Sequence, residues 1–441
     1  MQRAPRSGGC ATQPLYDITD AMGKVFLIVN ALLLLTVSAP AQTPRLWVLR
    51  SPGEMVEYDP ATFAVKQTVK VPAEAAHSPQ SVAVNHPGQI LFAPAVSLPL
   101  AEGDFASPHN VWFWNGRAAA TMDRGLKREV GSAGSNQSVT ESVPAIYLSA
   151  DGQHLFWFAN QARRLQREDV DLSVNATWQA WRTDATGAGR EDLATVKLPD
   201  CRCPTGSCEE SCPYGMVWVP ESGVGGFFLM TEFVMGKTEP LYKASTRYQE
   251  EGGKWTPNPL AEPLRRVLDA AAGGAVIVEA IPDTGCCGWS NQSNDQTLAR
   301  NNGKNVAVFD EQATYKNADY DVSFYTSNAR LSPALGYVAM TIVATAQVNQ
   351  PIQLSEQGQA DPEESKQIRK ALAELPSVEV ETLADPPRRV VLLPRTGLVG
   401  WISEKELLIV QDHLLVTYNV TTGARRKSSV RVEDAAHVFL R

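Results

Sequence analysis

Apolar positions in this chain come in short runs separated by tight-turn residues, the pattern of strands and hairpins. Tyr147–Phe158 (YLSADGQHLFWF) shows it best: two apolar runs meet at an Asp-Gly turn, and Ser81–Ala93 (SVAVNHPGQILFA) repeats the arrangement around Asn85–Gly88. Asp-Gly and Pro-Gly supply the restricted or positive φ angles of tight loops, while Val, Ile, Phe and Trp suit a pleated, buried surface.

The same unit recurs along the chain. Leu46–Leu49 and the two alternating runs of Met55–Val71, turning at Asp59-Pro60, make three strands. A second unit holds Ser81–Ala93, Val111–Trp114 and a return strand after Asn115-Gly116, and a third runs from Ala145 through the Tyr147–Phe158 hairpin to Trp178–Leu198, turning at Thr186-Gly187. The fourth contains Met216–Met230 and Leu241–Tyr248. The fifth covers 275–311 with a turn at Asn302-Gly303, the sixth includes Gly336–Ala344 and Val390–Leu393, and the seventh runs from Gly397 to Val432. Two insertions, Pro259–Gly273 and Asp361–Leu375, have helical spacing. In the second, Asp361 can cap, Pro362 suits the first helical position and Glu364 completes a capping box.

Units spaced by roughly 45 to 70 residues, each a meander, predict an all-β chain, specifically a β-propeller of seven four-stranded blades. A large β-sandwich is the competing architecture. The first unit lacks one strand, and the terminal run His437–Arg441 can supply it, closing the ring and removing two exposed edges. The strand Ser78-Pro79-Gln80-Ser81-Val82-Ala83-Val84-Asn85, the Pro-Gly and Asp-Gly turns and recurring V-x-x-x-D strands resemble the YVTN and WD40-like repeats of exported bacterial propellers. That resemblance is at the level of fold, and no repeat shows a Trp-Asp dipeptide.

The first forty residues follow a different logic. Met22-Gly23-Lys24, the apolar run Val25–Leu35 and Ser38-Ala39-Pro40-Ala41 have the charged start, apolar middle and small-residue end of a secretory signal peptide. Residues 1–41 are thus expected to be an upstream extension plus signal (22–41), with 42–441 as one propeller domain, secreted or periplasmic in a bacterium. The apolar run falls short of the roughly 18 to 20 residues that cross a bilayer, so no membrane span is expected after cleavage. With 441 residues, 44% of them hydrophobic, the chain can bury a large core. Its formal net charge of −8 becomes one unit more negative once the leader leaves, and Lys/Arg residues cluster only in short runs such as Arg388-Arg389 and Arg425-Arg426, which excludes a nucleic-acid coat.

Cysteine placement fits export. Cys10 precedes the cleavage point, leaving Cys201, Cys203, Cys208, Cys212, Cys286 and Cys287, an even set expected to form disulfides whose connectivity the sequence leaves open. A four-thiolate site for zinc or copper(I) at 201–212 is the alternative, but the spacing contains no Cys-x-x-Cys knuckle. Cys286-Cys287 can reach that loop or pair with each other. In a propeller, loops that enter innermost strands surround one channel mouth, so 201–212 should overhang it.

Two other groups invite a binding role. Gly285–Thr297 places Trp289 beside Asn291 and Asp295, an aromatic platform with amide and carboxylate groups suited to a polar ligand or sugar. An ordinary surface loop is the plainer reading. His77 and His437 stand in near-identical EAAH and DAAH sequences, with Glu433 adjoining the second; ring closure would bring both histidines to one mouth. Blade repetition alone also explains that likeness. There is no phosphate-loop, nucleophile-elbow or zinc-protease motif, because Thr231 occupies the first glycine that Gly236-Lys237-Thr238 would require, and neither of the other two patterns occurs. Four sequons start at Asn136, Asn175, Asn291 and Asn419.

These residues predict a monomeric binding or interaction module for a protein or a polar small molecule such as a carbohydrate, with no cofactor. The alternative is a hydrolase or lyase acting on a carbohydrate or similar polar substrate, with a His/carboxylate or metal centre at the mouth. Fold does not choose between them.

Overall fold

The strand Leu46–Arg50 is buried on both faces: Leu46 and Val48 pack one way, Trp47 and Leu49 the other. That explains its unbroken apolar run, since a strand in a sheet covered on both sides has no polar face to show. A computed structural model describes residues 44–73, 90–92, 98–99, 105–106, 111–114, 119–122, 137–141, 145–149, 152–167, 170–198, 201–204, 214–220, 224–235, 240–282, 294–301, 304–311, 314–316, 320–348, 362–432 and 435–440. All of its sheets belong to one unit, Arg45–Arg441.

Among the described residues, six sheets contain a four-stranded antiparallel meander. Sheet I has the order Ala435–Leu440, Leu46–Arg50, Glu54–Tyr58, Val65–Lys70, so the last strand of the chain pairs with the first, placing Trp47 opposite Phe439. Sheet II shows Ile90–Phe92, Val111–Trp114 and Ala119–Met122 among the described residues, and Leu98–Pro99 pairs with Phe105–Ala106 nearby in sequence. Sheet III runs Ala145–Leu148, His154–Arg167, Val170–Asp184, Glu191–Lys197, and sheet IV runs Tyr214–Trp218, Phe227–Met235, Pro240–Glu251, Lys254–Pro259. Sheet V consists of Arg266–Ala270, Val276–Pro282, Asn294–Asn301 and Lys304–Glu311. Sheet VI has Tyr320–Leu331, Tyr337–Val348, Ser377–Thr382 and Arg389–Leu393. A short fifth strand, Thr314–Lys316, pairs with Asp321–Ser323 at the start of that sheet. Sheet VII is Thr396–Ser403, Glu406–Gln411, Leu414–Asn419, Arg425–Arg431.

Apolar clusters join these sheets face to face in chain order. Phe158 and Trp178 of III pack with Phe228 and Met230 of IV, and Phe227 and Leu229 on the reverse of IV meet Ile277 of V. Val278 and Ala299 of V pack against Val338 and Met340 of VI, while Ala339 and Val380 of VI meet Trp401 and Ile409 of VII. Sheet VII returns to sheet I through Ile402, Leu408 and Leu415, which contact Leu46, Val48 and Val56. On the reverse of I, Trp47 and Leu49 meet Ile90 of II. Gly400 lets this packing close up: a Cβ there would meet Leu440 Cδ2 at 3.2 Å.

One turn recurs between the third and fourth strands of I and VII, and a turn one residue shorter occupies that place in III. Asp59 Oδ1 accepts the N–H groups of Ala61 and Thr62, each at 2.9 Å, and Asn419 Oδ1 accepts those of Thr421 at 3.0 Å and Thr422 at 2.9 Å. In the shorter turn of III, Asp184 Oδ1 accepts the N–H groups of Thr186 at 2.8 Å and Ala188 at 2.9 Å. A short side-chain acceptor satisfies the turn's donors in all three, which is why Asp or Asn stands there.

One of the two expected helices is present. The helix Pro362–Ala373 begins at Pro362 as anticipated, although Asp361 lies outside the described residues. The other expectation fails: Pro259–Gly273 contains the end of a strand, the whole strand Arg266–Ala270 and part of a 3-10 turn. Tertiary contacts override the helical spacing. Ser245 Oγ takes the N–H of Leu264 and Glu279 Oε2 that of Arg265, while Val267 packs toward IV and Leu268 toward VI with period two. No helix among the described residues is long and apolar enough to cross a membrane.

Candidate functional site

Alternation of strand direction places two kinds of connection at the same end of each meander: the one entering the first strand and the one joining the second to the third. In sheet III that end is extended. Its middle strands, His154–Arg167 and Val170–Asp184, have 14 and 15 residues, against 9 and 12 for the middle strands of the next sheet. Gln137–Glu141 pairs with Gln161–Leu165, and Cys201–Pro204 pairs with Val170–Ser173, so four strands continue past the blade.

Cys201 and Cys203 therefore stand opposite Ser173 and Asp171 on this extension, and the chain then enters sheet IV at Tyr214. Cys208 and Cys212 lie outside the described residues, as do Cys286, Cys287, Trp289 and Asn291, which fall between the second and third strands of V. Asp295 is in the first part of that third strand, Asn294–Asn301. His437 lies opposite Leu49 in sheet I; His77 and Glu433 are outside the described residues. Among the described residues no group of three or more His, Cys, Asp or Glu is placed to hold a metal ion.

Sequence reasoning missed a polar cluster between IV and V. Glu279 is fully buried, and its Oε1 accepts Arg300 Nε at 2.5 Å while Oε2 accepts the N–H of Arg265 at 2.8 Å. Arg300 Nη1 also donates to Glu262 Oε2 at 2.9 Å. Bonds to further partners offset the cost of burying a charge pair, and here both Glu279 oxygens accept while Arg300 bonds to two carboxylates. Across the interface, burial pushes the Tyr242 phenol up to about 12, and its hydroxyl has no hydrogen-bond partner among the described residues. The signal for the pair was an acid and a base inside two apolar strands, AVIVEA and QTLAR, but the sequence alone could not show that they meet.

Glu232, on the second strand of IV, faces the opposite way from this cluster. Burial raises its carboxyl above the ordinary range, and its neighbours in register are Gly215 and Ala244. Tyr248 is raised by burial and secondarily by Glu232.

No family model matches this chain, and no curated protein matches it. Solved structures do. A eukaryotic initiation factor aligns at 8% identity and a TM-score of 0.39, over 92% of this chain and 91% of its own. The WD40 domain of SCAP from fission yeast aligns at 8% and 0.33, over 88% and 87%; the β-propeller domain of Cps50 (Swd1) from Myceliophteria thermophila aligns at 10% and 0.34, over 88% and 92%. Likeness at that level adds nothing to what the strand order itself shows.

Proposed function

We propose that the chain is an exported, closed seven-bladed β-propeller that binds a polar small molecule, a carbohydrate or a protein at the sheet ends bearing 205–213 and 283–293. The observation that carries this reading is the extension of sheet III at the same end as these connections, with Cys201 and Cys203 on its added strand. Lengthening one blade there raises a wall at the end that also bears the connection carrying Trp289 and Asn291 and the start of the strand holding Asp295. Closure is supported by the pairing of Ala435–Leu440 with Leu46–Arg50 and by the contact of Leu46 and Val48 with Ile402 and Leu408. His77, His437 and Glu433 belong to the same proposed mouth. The six cysteines downstream of the leader hold the loops as disulfides.

The test is a thermal-shift screen against defined monosaccharides, oligosaccharides and short peptides, followed by titration calorimetry. A hit whose binding is lost in Trp289→Ala and Asp295→Ala, with melting otherwise unchanged, supports the reading. Undiminished binding in both variants contradicts it. Turnover of the hit that disappears in His77→Ala or His437→Ala would establish the hydrolase or lyase alternative instead.

A further inference from the structure

The recurring turn gives one sequon an environment that the other sheets help to interpret. Asn419-Val420-Thr421 lies at the third-to-fourth-strand turn of sheet VII, where Thr421, Thr422 and Gly423 are exposed and Val420 is buried. Asn419 Oδ1 is committed to the N–H groups of Thr421 and Thr422, an arrangement that also fixes which amide atom is oxygen, because only oxygen accepts. In a planar amide, Nδ2 then points away from those two donors. No described residue accepts a hydrogen bond from it.

We propose that Asn419 is an acceptor for an N-linked glycan. Transfer would join Nδ2 to the anomeric carbon of an oligosaccharide carried on a polyprenyl diphosphate; the diphosphate leaves with the electron pair of the broken C–O bond, and Nδ2 gives up one proton. Substitution at Nδ2 leaves Oδ1 free to keep both turn hydrogen bonds. The equivalent position in sheet I is Asp59, which makes the same turn without any amide nitrogen, so the fold does not depend on that group. Of the other sequons, Asn175 lies within the strand Val170–Asp184, while Asn136 and Asn291 are outside the described residues.

Occurrence in nature rests on the export reading, but the test does not. The full chain, with a eukaryotic secretion leader placed ahead of it, is expressed in cells that perform N-glycosylation, and both secreted and cell-associated protein are mapped by peptide mass spectrometry. The expected result is a glycan on Asn419, with conversion of Asn419 to Asp on treatment with peptide N-glycosidase. Asn419→Asp should lose that glycan and retain the melting temperature, because Asp59 already makes this turn in sheet I. An unmodified Asn419 in chains that have entered the lumen, or an Asn419→Asp variant that fails to fold, overturns the proposal.

Discussion

Glu404 Oε1 accepts the backbone N–H of Gly336 at 2.9 Å, joining the first turn of sheet VII to the corresponding turn of sheet VI. The same carboxylate accepts Ser332 Oγ at 2.9 Å and the N–H of Ala334 at 2.6 Å, so one side chain holds three donors of a neighbouring blade. Trp401 Nε1 adds a bond to the carbonyl of Arg330 at 2.8 Å. Glu404→Ala should lower stability by on the order of 2 kcal/mol, because hydrogen bonds to a charged acceptor are the stronger kind and this turn is partly exposed. Urea unfolding checks it; an unchanged midpoint would show that the clasp contributes nothing.

The recurring turns make part of the stability sensitive to acid. Backbone donation from Thr62 holds the Asp59 carboxyl below its ordinary range, and donation from the Thr186 hydroxyl does so for Asp184. With folded values depressed, the stabilisation is present above the unfolded pKa and is lost as pH falls through the folded one. Asp59→Asn should keep its turn, as Asn419 does, Asp184→Asn retains the Oδ1 that accepts from Thr186 and Ala188, and the two together should flatten the acid limb of a plot of urea midpoint against pH. An unaltered slope would contradict this.

The Glu279–Arg300 pair should behave as a unit. Glu279→Ala leaves a buried guanidinium without its main partner and is expected to cost about 3–5 kcal/mol. Replacing both residues together, Glu279→Leu with Arg300→Met, should cost less than either single truncation. Additive losses in a double-mutant cycle would show that the two side chains do not interact.

Tyr242 offers the converse case. Its buried hydroxyl has no partner among the described residues, so Tyr242→Phe should leave the melting temperature unchanged or raise it. A clear decrease would reveal a hydrogen bond to the phenol.

The strands were legible where one property decided them. Leu46–Leu49 and Val390–Leu393 are apolar runs bounded by turn residues, and both lie in strands. The pairing of Ala435–Leu440 with Leu46–Arg50 followed from counting strands in the first unit. Residues 259–273 were misread because helical spacing competes with period two over so short a length, and the deciding donors and acceptors, Ser245 and Glu279, come from other strands. The overlong hairpin of sheet III was hidden too, since Asn160–Ser173 contains few apolar residues and its pairing depends on Gln137–Glu141 and Cys201–Pro204. For the proposed site, sequence identified residue types, while the described structure locates only Asp295, His437, Cys201 and Cys203 by strand and register.

Closure of the ring is tested most directly by a photo-crosslink. A benzophenone side chain placed at Phe439 in the full chain should, on irradiation, attach to the peptide containing Leu46–Tyr58, because residue 439 lies opposite Trp47. Attachment to that peptide in monomeric protein is the predicted result. Crosslinks confined to other parts of the chain would contradict closure.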